Sequence, residues 1–336
     1  MTTMTPPAEE APPAPTRRRR KVLARLLAVA ILVPIVAALT GIAIESVLGR
    51  SDADRYPAPG RVVSAEAGAL HVNCTGEGSP TVLLESGLGE PGLTWAEVQG
   101  DLDDYLTVCS YDRAGYGWSP AGEGTWDAKD ASVQITQALR AEGHDGPYIV
   151  AAHSLGGLVA RELRDRDPHA VAGMVLIDPT NEVTLDRVGT PGAAIVERKL
   201  MGALARTGLV RLFGDQLIPA FTSSPPPEEL LDNAPAVYHA GAIAASTREL
   251  RGAPAAAAHL LAVEDSNWGD LPITVISSAS TPQADRDHHH ALAARSTVGE
   301  HVIAEFGGHY VHYDDPHLVV DAICDVASAA TRSPIC

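Results

Sequence analysis

From residue 61 onward the hydrophobic positions switch between two periods. Short runs rich in Val, Ile and Leu, bounded by Gly, Pro, Ser or Asp, predict strands over Arg61–Ala65, Leu70–Cys74, Thr81–Glu85, Leu106–Tyr111, Tyr148–Ala152, Val171–Ile177, Ile273–Ser277 and His301–Glu305. The first two flank Ala67-Gly68 and read as a hairpin. Between the others lie stretches with helical spacing, such as Ala128–Glu142 and a last one from Pro316 to Ala330. Strands separated in this way predict an α/β fold: a mostly parallel eight-stranded sheet with helices on both faces. In such sheets the functional site lies at the carboxyl ends of the strands.

The rhythm breaks in two places. The 94 residues between Asp178 and Ile273 have little strand character. They hold helical patterns over Ala193–Thr207, Val237–Leu250 and Ala255–Val263, interrupted by Ser223-Ser224-Pro225-Pro226-Pro227. That is too long for an ordinary loop. It predicts a helical cap over 182–265, inserted into a core formed by 61–181 and 266–336.

The second break is the N-terminus. A Pro-, Ala- and Thr-rich stretch followed by Arg17–Lys21 predicts a disordered basic tail over 1–21. Leu26–Ile44 then runs for 19 residues without a charge. At about 1.5 Å per residue such a helix nearly matches a ~30 Å hydrocarbon core. We expect a membrane helix over 22–48 and a linker over 49–60. Basic residues on the N-terminal flank keep that side cytoplasmic, so the expected location is the cell membrane, single-pass, with the body outside. The apolar stretch exceeds that of a cleaved signal and no convincing small-x-small site follows it, which favours an uncleaved signal-anchor; cleavage would give a secreted protein.

Composition refines this picture. Hydrophobic residues make up 45% and aromatics only 4%, so the core must be largely aliphatic. The net charge of −17 is uneven: residues 1–50 carry seven Lys or Arg against three Glu, leaving −21 on the rest. A body so acidic excludes nucleic acid as a partner and disfavours anionic substrates. Cys74, Cys109, Cys324 and Cys336 allow three full pairings. Cys74–Cys109 with Cys324–Cys336 is the expected one, because the first two fall on strands expected to be neighbours and the last two are close in sequence. Free buried thiols are the alternative, and no pair has zinc-site spacing.

The chemistry centres on Ala152-His153-Ser154-Leu155-Gly156, which follows a strand and opens a helix. It matches the G-x-S-x-G nucleophile elbow with Ala in place of the first Gly. The tight turn lifts the serine hydroxyl clear of the sheet and leaves the next backbone N–H unpaired. A serine hydroxyl needs a base, and Gly307-Gly308-His309 after the last strand supplies one on a sharply turning loop. His153 reads as a support for the turn. His288, His289 and His290 read as an exposed polar loop rather than a metal site. Arg113, within Tyr111–Gly117, reads as structural, paired with Asp112 or a nearby loop.

These residues resemble the α/β-hydrolase superfamily, and among its members the bacterial, exported, membrane-anchored serine hydrolases of esterase or lipase type. Leu84–Gly89, Tyr111–Gly117, Ala152–Gly157, Leu176–Pro179 and Gly308-His309-Tyr310 carry the resemblance. It implies a Ser-His-acid triad with Ser154 as nucleophile and His309 as base. The acid commonly follows the seventh strand, but Val275–Pro282 contains no carboxylate there. Asp178, closing the sixth strand, is the expected acid, with Asp285 or Asp287 as the alternatives. The backbone N–H groups of Leu88 and Leu155 are the expected oxyanion donors. The implied reaction is hydrolysis of an ester or related acyl bond of a small, fairly apolar substrate through an acyl-enzyme on Ser154, with no cofactor and no metal. The alternatives are a C–C hydrolase, lyase or perhydrolase on the same fold, or a non-enzymatic ligand-binding protein.

Overall fold

The structure, a computed structural model, describes residues 17–190, 192–221, 225–263 and 267–336. Eight strands form one sheet: β1 (Arg61–Ala65), β2 (Gly68–Thr75), β3 (Thr81–Glu85), β4 (Val108–Asp112), β5 (Tyr148–His153), β6 (Val171–Ile177), β7 (Ile273–Ser277) and β8 (Glu300–Ile303). Their order is β1-β2-β4-β3-β5-β6-β7-β8. β1 and β2 pair antiparallel, as do β2 and β4; every later pair is parallel.

Helices of seven or more residues are α1 (Arg17–Leu48), α2 (Ala96–Leu102), α3 (Ala128–Ala141), α4 (Gly156–Arg166), α5 (Glu182–Val188), α6 (Gly192–Arg206), α7 (Leu209–Phe221), α8 (Ala240–Val263), α9 (Gln283–Ala293) and α10 (Pro316–Thr331). Successive strand residues point to opposite faces, and the core divides accordingly. Leu83, Val150 and Met174 pack with α3, α4 and α9 residues such as Ile135, Leu163 and Leu292. Val82, Leu84, Ile149 and Ala151 pack on the other face with Val98 and Leu102 of α2 and Val319 and Ile323 of α10. β5 is buried at all six positions, as a central parallel strand covered on both faces must be.

α5 to α8 lie between β6 and β7. Where the sequence pattern ended one helix at Leu250 and restarted another at Ala255, α8 runs unbroken through Pro254. Burial of Ala253, Ala256, Ala257 and Leu260 holds that turn together despite the lost N–H. Arg161 of α4 and Glu182 of α5, both fully buried, form two 2.8 Å hydrogen bonds that fix the start of this insertion to the core.

Two further expectations are corrected. The tail over 1–21 lies outside the described residues as far as 16, and from Arg17 the basic run is helical and opens α1. Arg and Lys are good helix formers, so the helix propagates through them. The linker over 49–60 contains a 3-10 turn (Gly49–Ser51) and a helical turn (Asp52–Arg55). The segment Ala28–Ser51, which is most of α1 and the 3-10 turn after it, is long and apolar enough to cross a membrane, and none of it is buried.

Cys74 and Cys109 are register partners on β2 and β4 and form a disulfide; Cys324 and Cys336 form the second. The loop-entropy model gives about 4 kcal/mol for the 35-residue closure and about 3 kcal/mol for the 12-residue one. Urea denaturation of Cys74→Ala/Cys109→Ala should therefore show the larger loss, against a smaller one for Cys324→Ala/Cys336→Ala.

Candidate active site

Ser154 leaves β5 with φ of +49°, and Asp178 leaves β6 with φ of +41°. Left-handed conformations cost a non-glycine residue about 1–3 kcal/mol and persist only where the surroundings impose them. Here backbone bonds do so. Ser154 N–H donates to the Ile177 carbonyl at 3.0 Å, and the Ser154 carbonyl accepts from Gly157 and Thr180 at 3.0 and 3.1 Å. Asp178 N–H donates to the Ile276 carbonyl at 2.7 Å. At Gly156 a Cβ would sit 2.7 Å from the carbonyl oxygens of both Glu85 and Ser86, so α4 can approach β3 only with glycine there.

Ser154 Oγ lies 2.8 Å from His309 Nε2, and His309 Nδ1 lies 2.6 Å from Asp178 Oδ2. A carboxylate only accepts, so it holds the proton on Nδ1 and leaves Nε2 to accept from the serine hydroxyl. The other carboxylate oxygen of Asp178 accepts from Thr281 Oγ1 at 2.5 Å and from the Ser278 N–H at 3.3 Å. Burial pushes the Asp178 carboxyl up, but the bonds from His309 and Thr281 outweigh it and hold the group below its ordinary value. The alternative acids are engaged elsewhere. Asp285 accepts from Asn181 Nδ2 at 2.8 Å and Asp287 from Gln283 Nε2 at 2.8 Å.

Leu88 and Leu155 pack their side chains into one apolar cluster, and neither N–H has an acceptor among the described residues. The orientation of the first is set by Arg113. All five guanidinium donors are used: Nε and Nη2 on Glu249 (2.7 and 3.0 Å), Nη1 on Glu85 (2.6 Å), and Nη1 and Nη2 on the carbonyls of Ser86 and Gly87 (2.6 and 2.7 Å). Across a trans peptide the C=O and the next N–H point in opposite directions. Pulling the Gly87 carbonyl toward Arg113 therefore aims the Leu88 N–H away from it. Of the two expected partners, Arg113 takes the nearby loop, and Asp112 is instead bonded by His71 Nδ1 (2.8 Å), Gly92 N–H (2.8 Å) and Trp118 N–H (3.0 Å).

Behind His309 stands a second buried pair. His153 Nε2–H donates to the His309 carbonyl at 2.9 Å, and its Nδ1–H faces both oxygens of Glu90 at 2.9 and 3.0 Å. Glu90 also accepts from the Gly87 N–H at 3.0 Å. Burial pushes Glu90 up, yet His153 outweighs it and brings the carboxyl down to about 2. Burial pulls His153 down, and Glu90 more than reverses this. Glu90, His153 and His312 bring potential metal donors within 4.8 Å of one another. Glu90 and His153 are nevertheless 2.9 Å apart, closer than the about 3.3 Å that two tetrahedral zinc ligands require, and read as a direct hydrogen bond.

The histidine run is not an exposed loop. It lies on α9, where His289 accepts from Ser277 Oγ at 2.7 Å and donates to the Pro179 carbonyl at 2.9 Å, and His288 sits 2.8 Å from Glu182. Glu85, Glu90 and Glu249 were the residues missed. The available signal was a carboxylate at the end of an apolar strand for Glu85; nothing local marks the other two.

Two cavities adjoin the site. One of about 440 Å³ is lined by Ser154, His309, Asp178, Leu185 and Val188. The other, about 550 Å³ and mostly apolar, extends from Leu88 and Tyr310 to Met201, Leu204 and Phe213.

Arg113→Met would leave Glu85 and Glu249 buried without their cation and should cost about 3–5 kcal/mol in chemical denaturation. The Glu90 carboxyl, near 4.5 ordinarily and about 2 in the fold, contributes stability above pH 4.5 that is lost as pH falls toward 2. Melting curves of Glu90→Gln should accordingly decline less steeply than the parent's over that window. His153, raised by the same contact, adds stability that is lost as pH rises beyond its folded value.

Residues 82–322 match the Alpha/beta hydrolase family. The Uncharacterized protein YqjL of Bacillus subtilis is 25% identical over 264 residues, covering 76% of this chain and 87% of that one. Lipase LipV of Mycobacterium tuberculosis is 37% identical over 121 residues, 35% of this chain and 43% of the lipase. A thermophilic esterase from Thermogutta terrifontis superposes with a TM-score of 0.60 at 17% identity, covering 80% of this chain and 98% of the esterase, a likeness of fold. The chain belongs to the alpha/beta hydrolase family and is a hydrolase.

Proposed function

We propose that the protein is a serine hydrolase that cleaves an ester or related acyl bond through an acyl-enzyme on Ser154. The observation that carries this reading is the unbroken chain Ser154 Oγ–His309–Asp178, with contacts of 2.8 and 2.6 Å. His309 Nε2 takes the hydroxyl proton as Oγ attacks the acyl carbon, and Asp178 stabilises the resulting imidazolium. The N–H groups of Leu88 and Leu155 receive the oxyanion. His309 returns the proton to the leaving alcohol. Water, deprotonated in turn by His309, then releases the acid and restores Ser154. The mostly apolar cavity lining, with Glu90, Glu197 and Arg198 the charged exceptions, supports a fairly apolar substrate.

The same proposal places the catalytic body outside a membrane, held by α1. The charge-free stretch of α1, its basic N-terminal flank and the two disulfides support that placement.

A fluorophosphonate probe should label Ser154, and Ser154→Ala should abolish labelling. Asp178→Asn should lower kcat for a p-nitrophenyl ester by about 10³–10⁴-fold, whereas Asp285→Asn should leave it nearly unchanged. Labelling that survives in Ser154→Ala, or equal losses in the two Asp variants, overturns these assignments. A labelled Ser154 with no ester turnover would turn the reading toward C–C bond cleavage.

A further inference from the structure

α6 carries Val196, Leu200 and Leu204 at i, i+4 and i+8, with 57%, 61% and 51% of their surface exposed. That spacing makes one stripe of a helix. α7 adds Leu212 and Phe213, 68% and 49% exposed. The opposite side of α6 is the buried one, through Gly202 and Ala205. An insertion that sheltered its apolar side in the usual way would not leave five large side chains in solvent.

The attachment of α1 says what covers them. A Cβ on Gly41 would lie 2.3 Å from the Thr207 carbonyl oxygen, so α1 and the α6–α7 turn are in backbone contact. Arg211 of α7 then bonds both carboxylate oxygens of Glu45 (2.9 and 3.0 Å) and of Asp52 (2.8 and 2.6 Å). Gly41 is three residues inside the charge-free stretch that ends at Ile44, about 4–5 Å along the helix axis. A bilayer crossed by α1 therefore has its boundary at the level of Thr207. Helices lying in that boundary bury an apolar face about 5–10 Å deep and carry cations at the headgroups. Lys199 and Arg206 are exposed on α6 in that role.

The 550 Å³ cavity runs from this surface toward the chemistry. Leu204 and Phe213 belong both to the exposed apolar face and to the cavity lining, and the far end of the cavity is Leu88 and Tyr310, next to His309. We propose that α6 and α7 lie in the surface of the bilayer that α1 crosses, and that the cavity takes the long acyl chain of a lipid ester directly from it. The substrate half of this inference rests on the acyl-hydrolase reading above. Each further methylene buried in the cavity tightens binding about fourfold, so the cavity selects for chain length.

Val196, Leu200 and Leu212 lie outside the cavity lining. The full chain in phosphatidylcholine vesicles is compared with Val196→Glu/Leu200→Glu/Leu212→Glu on soluble p-nitrophenyl acetate and on bilayer-partitioned 4-methylumbelliferyl oleate. The short ester should be turned over within about twofold of the parent, and the oleate should fall by about tenfold or more. Equal retention of both activities overturns the proposal, and so does equal loss of both that persists in the milder Val196→Ser/Leu200→Ser/Leu212→Ser. A readout free of catalysis uses a nitroxide on Leu200→Cys or Leu212→Cys. It should be reached by dissolved oxygen and shielded from a water-soluble nickel chelate; access to the chelate overturns the membrane contact. A parent protein that hydrolyses neither ester overturns the acyl-hydrolase reading and the substrate half with it, while the nitroxide still decides the contact.

Discussion

The five hydrogen bonds of Arg113 join the end of β3, the loop that follows it and α8 at a single guanidinium. The guanidinium is buried on β4's carboxyl side, and it reaches β3 through Glu85, the following loop through two carbonyls, and α8 through Glu249. Burying three charges is costly unless every donor and lone pair is matched. Tyr111 and Tyr116 complete the match by donating to Glu85 and Glu249. Burial still pushes Glu85 up to about 7, so the cluster is held at the edge of what one cation can stabilise. What this arrangement secures is direction. Two carbonyls of the β3 loop are drawn to one side, and the adjoining N–H groups are turned to the other, toward Glu90 in one case and toward the Ser154 hydroxyl's side of the sheet in the proposed mechanism.

The Glu90–His153 pair extends the same logic to the opposite loop. Glu90 accepts from the Gly87 N–H, and His153 donates to the His309 carbonyl. One carboxylate and one imidazolium thus tie the β3 loop to the loop that carries His309. Neither group touches Ser154 Oγ. Their effect on chemistry runs through backbone positions, which a misplacement of about 1 Å can degrade severely.

The strands and the elbow were legible because they depend on local spacing. Alternation of Leu83 against Val82 and Leu84 fixes which face each joins, and a serine between a buried strand and Gly156-Gly157 has few other folds open to it. Glu249 was illegible because its partner is 136 residues away. It sits on a helix whose sequence reads as apolar filler. The histidine run misled for a related reason. Its polar surface suggested a loop, but α9 turns His288 onto the buried Glu182 and buries His289, whose ring is satisfied by Ser277 and Pro179 from two different strands' ends. At α8 the sequence rule for proline was locally sound and was overridden by burial.

The position of the proposed acid follows from register. His153 pairs with Ile177, so the residues that leave β5 and β6, Ser154 and Asp178, emerge side by side at the same edge. Ile177 in turn pairs with Ile276, which brings the end of β7 alongside Asp178. The residues there are Ser277 and Ser278, and they offer donors rather than a carboxylate. Ser278 N–H and, one turn on, Thr281 Oγ1 both bond the Asp178 oxygen that His309 leaves free. A carboxylate in place of the Thr281 hydroxyl would meet Asp178 at hydrogen-bonding distance, and two like charges so close cannot both remain ionised. With Asp178 at the end of β6, position 281 is therefore a donor, and the lack of a carboxylate there is the counterpart of the proposed acid one strand earlier.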